Sequence, residues 1–170
     1  MFKIRYKIFA DEELEDYEIS GENGYFELTF VDEIYGIYIS EDIDIFSVSI
    51  YWWFYYLLEA LDKIQDENYV LICDIETSNT WIEIKRDTDI LNISEVSADK
   101  PNGSTAVECT IMPNLKYEYW KDKKILFEDF KLEILSKARE YLEELKSLNV
   151  EKHSQIINLE MLIIKIQDKH

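Results

Sequence analysis

The chain has 170 residues, of which 47% are hydrophobic and 14% aromatic, and a formal charge of −18. That apolar content excludes an intrinsically disordered chain despite the charge, and the charge argues against binding a polyanion such as nucleic acid directly. With four glycines and two prolines, it reads as one α+β domain over 1–170, mainly antiparallel sheet over 1–112 and helical over 125–168.

The first predicted element is a strand over 2–9. Phe2, Ile4, Tyr6 and Ile8 alternate with Lys3, Arg5 and Lys7, the period-two pattern of a half-buried strand. Such alternation is no signal-peptide core. Residues 17–20 and 25–31 flank Gly21-Glu22-Asn23-Gly24, which reads as a hairpin loop, and 34–39 continue an antiparallel meander around Gly36. At Ile50 the period changes. Ile50, Trp53, Phe54, Leu57, Leu58, Leu61 and Ile64 mark a helix over about 49–65, with Ser47 or Ser49 as its cap. Strands are then expected over 69–75, 80–85, 90–96 and 105–112, with a turn at 100–103.

A basic, aromatic stretch (KYEYWKDKK) follows Pro113-Asn114. The stripe Phe127, Phe130, Ile134, Leu135, Ala138, Leu142 and Leu145 predicts a helix, with Glu128 and Asp129 favouring its N-terminus. The last helix, 154–167, carries apolar residues around most of its cylinder. It must be covered by its own domain or by a second copy, so a homodimer through this helix is one expectation. The fold class is thus an antiparallel sheet, an N-terminal meander followed by one helix and further antiparallel strands, packed with two C-terminal helices.

Charge is distributed unevenly. Ile8 to Asp62 is 55 residues long with no Lys or Arg and 15 Asp or Glu, whereas 113–170 holds 11 of each sign. A solvated surface usually mixes signs, because neighbouring opposite charges relieve repulsion. Within the acidic third, Tyr51 to Tyr56 are six consecutive aromatics. With Trp53 and Phe54 facing the core, Trp52, Tyr55 and Tyr56 point sideways or outwards. Such residues are interface anchors, and flanking carboxylates would steer a cationic partner. The expected partner-binding set is therefore Glu12, Glu13, Glu15, Asp16, Asp42, Asp44, Trp52, Tyr55 and Tyr56.

Signs of chemistry are sparse. His153 and His170 are the two histidines, both expected in solvent, and neither a nucleophilic triad nor a zinc site can be assembled from them. Cys73 and Cys109 lie in apolar strand-like runs and read as buried free thiols. Asp42/Asp44 and Asp87/Asp89 lack the glycine and glutamate of a calcium loop. No cofactor or metal is called for, and the longest uncharged run, 14 residues over 45–58, is too short to span a bilayer. The expected location is the cytoplasm.

Asp74 followed by Glu83-Ile84-Lys85 on the next strand resembles the PD-(D/E)xK nuclease core. That resemblance implies a metal held by Asp74 and Glu83, with Lys85 beside the attacking water. A second resemblance is to bacterial polymorphic-toxin immunity proteins. It covers residues 20–148 and rests on Gly24-Tyr25-Phe26-Glu27-Leu28 in a meander, Trp52-Trp53-Phe54 in a helix, and Ala138-Arg139-Glu140-Tyr141-Leu142 in a late helix. It implies a non-enzymatic protein that occludes a basic toxin's active site with carboxylates. A phage or mobile-element DNA mimic would use the same acidity against a DNA-binding protein.

Overall fold

Among the described residues, two antiparallel sheets and three helices share one large core. The computed structural model describes residues 1–9, 18–41, 46–150 and 153–169. The first sheet is the predicted meander: β1 (Phe2–Ile8), β2 (Asn23–Phe30) and β3 (Glu33–Ile37), with the two-residue β4 (Val48–Ser49) also paired to β2. The register runs from Phe2 opposite Phe30 to Ile8 opposite Gly24. This differs from the expected hairpin, because Asn23 and Gly24 belong to β2 itself instead of forming its loop. Gly24 pairs with Ile8 on one side and Val48 on the other. A Cβ there would lie 1.9 Å from the Lys7 carbonyl oxygen, so the close approach of β1 requires glycine.

Helix α1 (Ile50–Asp66) starts where the change of period predicts. The Ser49 hydroxyl caps it by accepting from the Trp52 backbone N–H at 3.2 Å. The second sheet has the order β8-β5-β6-β7-β9. Its strands are β5 (Tyr69–Cys73), β6 (Thr80–Asp87), β7 (Ile90–Ser97), β8 (Val107–Glu108) and β9 (Lys123–Leu126). The strand expected over 105–112 contracts to β8, while β9 arises from the basic stretch. Helix α2 (Phe127–Leu148) follows directly, and α3 (Ser154–Gln167) has the bounds expected of it.

The main core lies between the sheets and helices. Phe2, Ile4, Phe26, Leu28 and Phe30 face it from the first sheet, and Val70, Ile72, Ile82, Ile84, Leu91 and Ile93 from the second. Burial of this apolar area is the principal stabilising term. Phe54 stacks on Tyr141 at 4.9 Å and meets Phe26 and Tyr6 edge-on, joining α1, α2 and the first sheet.

Polar contacts pin the helices. The Ile4 N–H donates to Glu133 Oε1 at 2.9 Å, and Tyr6 donates to Glu144 at 2.7 Å, which fixes α2 along β1. Tyr141 donates to the Gly21 carbonyl at 2.9 Å. Asp62 on α1 holds α3 through Lys165 at 2.5 Å and Lys169 at 2.8 Å.

The outer face of the second sheet has its own smaller core of Leu71, Cys73, Trp81, Val96, Ala98 and Met112. Ala98, Ala106, Met112 and Leu115, from the segments on either side of β8, pack against that face. Cys73 is buried, Cys109 half-buried, and both are free thiols. Among the described residues, no helix is long and apolar enough to cross a membrane.

Candidate functional site

Of the residues expected to meet a partner, Glu12, Glu13, Glu15, Asp16, Asp42 and Asp44 lie outside the described residues. The aromatic members lie on the first turns of α1. Six aromatics in a row must surround a helix, so they cannot all face the core. Trp53 stacks on Phe26, with ring centroids 5.7 Å apart. Tyr51 is buried and donates to the Gln155 carbonyl at the start of α3, at 3.1 Å.

What remains is an open aromatic ladder. Trp52 is 39% exposed, and Tyr55 and Tyr56 are half-buried. The Trp52 ring lies 5.2, 5.7 and 5.6 Å from those of Tyr51, Tyr55 and Tyr56. These contacts hold the indole in place while leaving part of it in water.

Beside Trp52 is a recess of about 250 Å3 between α1 and the end of β5. Ser49, Trp52 and Tyr56 line one side, and Cys73, Asp74, Ile75 and Glu76 the other, with Lys100 and Ala106 completing it. The Asp74 carboxylate shapes this wall. Its Oδ1 accepts from the N–H groups of Glu76 at 2.6 Å and Thr77 at 2.9 Å, closing the turn. Its Oδ2 accepts from the Tyr35 hydroxyl of β3, linking the two sheets.

Glu76 differs. Its carboxylate has no cationic partner within ion-pair distance among the described residues. Partial desolvation and the adjacent Asp74 charge push its carboxyl above the ordinary value. Burial likewise raises the Cys73 thiol; the Lys100 charge opposes this and Asp74 adds to it.

The nuclease-like residues do not converge. Asp74 faces the seam with β3 and α1, whereas Glu83 and Lys85 face the outer side of the second sheet. Glu83, 1% exposed, accepts from Tyr69 at 3.0 Å, Tyr117 at 2.9 Å and Lys85 at 2.8 Å. Lys85 also donates to the Tyr117 hydroxyl at 3.0 Å. Burial works against the Lys85 charge, but bonds to Glu83 and Tyr117 outweigh it and raise its pKa. Glu83 therefore fastens residue 117 to the sheet. Among the described residues, no group of three or more His, Cys, Asp or Glu side chains is placed to hold a metal ion.

The fold does bring Asp74 together with Trp52 and Tyr56, which the sequence assigned to different roles. It adds Glu76, which carried no signal of its own. Only the packing of α1 against β5 makes these four residues neighbours. Comparison with protein-family models, curated proteins and solved structures returned no match.

Proposed function

We propose that this protein is a cytoplasmic, non-enzymatic binder of a basic protein, acting as an immunity protein that neutralises a toxin domain. Carboxylates occupy the place of the toxin's anionic substrate and aromatic side chains anchor the contact. The observation that carries this reading is the Trp52 ladder standing open beside Asp74 and Glu76 in a chain of net charge −18. Exposed aromatics supply contact area at low entropic cost, and the surrounding negative potential accelerates encounter with a cation.

The test is co-expression with the toxin-like C-terminal domain encoded by a neighbouring gene. Growth should be rescued, a complex should form, and its association rate should fall at least about tenfold between roughly 50 and 500 mM salt. Charge reversal of Glu12, Glu13, Glu15 and Asp16, or of Asp42 and Asp44, should also slow association. A rate indifferent to both salt and these changes would sink the reading. So would Mg²⁺-dependent DNA cleavage by the wild type that disappears in Lys85→Ala. A complex formed with a DNA-binding protein instead would identify a DNA mimic.

Self-association belongs to the same proposal. On α3, Ile156, Leu159, Ile163 and Ile166 are buried, whereas Ile157, Met161 and Ile164 are exposed at i, i+4 and i+7. That stripe is self-complementary across a two-fold axis and fits a second copy of the chain. Sedimentation of the wild type against Met161→Lys decides it: a dimer lost in the variant is expected, and a monomeric wild type overturns it.

A further inference from the structure

The walls of the recess beside Trp52 differ in character. One is aromatic, formed by Trp52 and Tyr56, and the other carries the carboxylates of Asp74 and Glu76. Its volume of about 250 Å3 falls below the roughly 300–1,000 Å3 of small-molecule sites, and suits a single side chain. Both oxygens of Asp74 are engaged, by Tyr35 and by the Glu76 and Thr77 N–H groups. Asp74 therefore contributes negative potential more than a free acceptor. Glu76, exposed at the rim, is the acceptor left open, with no cation within ion-pair distance among the described residues.

We infer that this recess seats one arginine side chain of a basic protein partner, its guanidinium against the Trp52 and Tyr56 rings and paired to the Glu76 carboxylate. The inference rests on the partner chemistry proposed above and names the group that partner would insert. A planar guanidinium suits both surfaces, since it stacks on aromatic rings and presents a fork of N–H donors to a carboxylate. An ammonium can satisfy the charge but not the stacking. Lys100 sharpens the chemistry because it opposes the guest. It lines the recess, with its ammonium 6.0 Å from the Trp81 ring centroid, and repels an incoming cation. Removing it should therefore tighten binding.

The experiment titrates the ¹⁵N-labelled full chain with N-acetyl-arginine amide, and in parallel with N-acetyl-lysine amide and N-acetyl-norleucine amide. The indole N–H of Trp52, assigned by comparison with Trp52→Phe, and the amides of Glu76 and Thr77 are followed. The arginine probe should give saturable shifts confined to these signals. The lysine probe should bind about threefold more weakly and the norleucine probe should not bind. Glu76→Gln and Trp52→Leu should each weaken the arginine probe about fivefold, and Lys100→Ala should tighten it about twofold. Opposite signs at Glu76 and Lys100 are not expected of a merely structural pair.

The inference is overturned if the norleucine probe produces the same shifts. It is also overturned if the arginine probe shifts signals without localisation, or if its affinity is unchanged in both Glu76→Gln and Trp52→Leu. Salt-dependent binding of a basic toxin without arginine in the recess would remove this seat alone. Arginine seated here, with no basic protein found to bind, would instead remove the immunity reading.

Discussion

Glu83 illustrates how a buried carboxylate can become a fastener. Removing it leaves the hydroxyls of Tyr69 and Tyr117 without their carboxylate acceptor and takes the counter-charge from Lys85, which keeps its bond to the Tyr117 hydroxyl. Glu83→Ala should destabilise the protein by about 1–3 kcal/mol in urea unfolding. Lys85→Met should also destabilise the protein, because it removes the cation paired with a Glu83 carboxylate that stays buried. In the sequence, Glu83-x-Lys85 carries the same letters whether it holds a metal or a neighbouring tyrosine. The deciding residue, Tyr117, lies 34 positions from Glu83, beyond the reach of local spacing. At the β2–β3 turn, Val31 has a φ of 64°, which a β-branched residue adopts only under strain. Val31→Asn should stabilise the fold by about 0.5–1 kcal/mol, read as a higher melting temperature.

At the scale of elements, the clearest signals came from periodicity supported by a cap. α1 carried both the helical period and Ser49, and α3 stood in a long uninterrupted apolar pattern. β9 carried neither. It is a four-residue edge strand beginning with two lysines, and its pairing with β7 is set by the second sheet as a whole. The attachment of α3 adds an electrostatic clamp at Asp62 to the burial of Ile156, Leu159, Ile163 and Ile166. Burial opposes the charge on Asp62, yet bonds from Lys165 and Lys169 prevail and hold its carboxyl below the ordinary range. A depressed carboxylate contributes stability above its unfolded pKa of about 4 and loses it as pH falls through the folded value. Hydrogen exchange should therefore show α3 opening before β6 and β7 at about pH 3. Asp62→Asn should expose the same helix at neutral pH, at a cost of about 1 kcal/mol.

Across the whole molecule, the two sheets meet at a seam crowded with acid. Burial pushes the Glu95 carboxyl up; a hydrogen bond from Trp120 opposes this, and the charges of Asp74 and Glu33 add to it. A carboxyl whose folded pKa is raised stabilises the protein as pH falls through that value, the reverse of Asp62. Relief of the −18 repulsion acts in the same direction. Stability should thus rise as pH falls towards the carboxylate range and decline below about pH 4 as Asp62 protonates. A urea-midpoint series across this range checks the sign, and a maximum above pH 7 would contradict it. The α+β class was legible because local periods survive in the sequence. The division of the strands among the described residues into two sheets was not, since it depends on pairings between distant strands.

The anchoring of β1 by α2 also constrains the order in which the protein can be completed. Phe2 packs against Phe130, and Ile4 and Tyr6 bond to Glu133 and Glu144, partners that leave the ribosome more than a hundred residues later. Until then, the inner face of the N-terminal meander lacks part of its cover, and closing so long a loop is slow. A nascent chain released before residue 127 would present this aromatic surface to its neighbours. The N-terminal strands are thus made first and finished last, so the growing chain depends on its still-unmade end to escape aggregation.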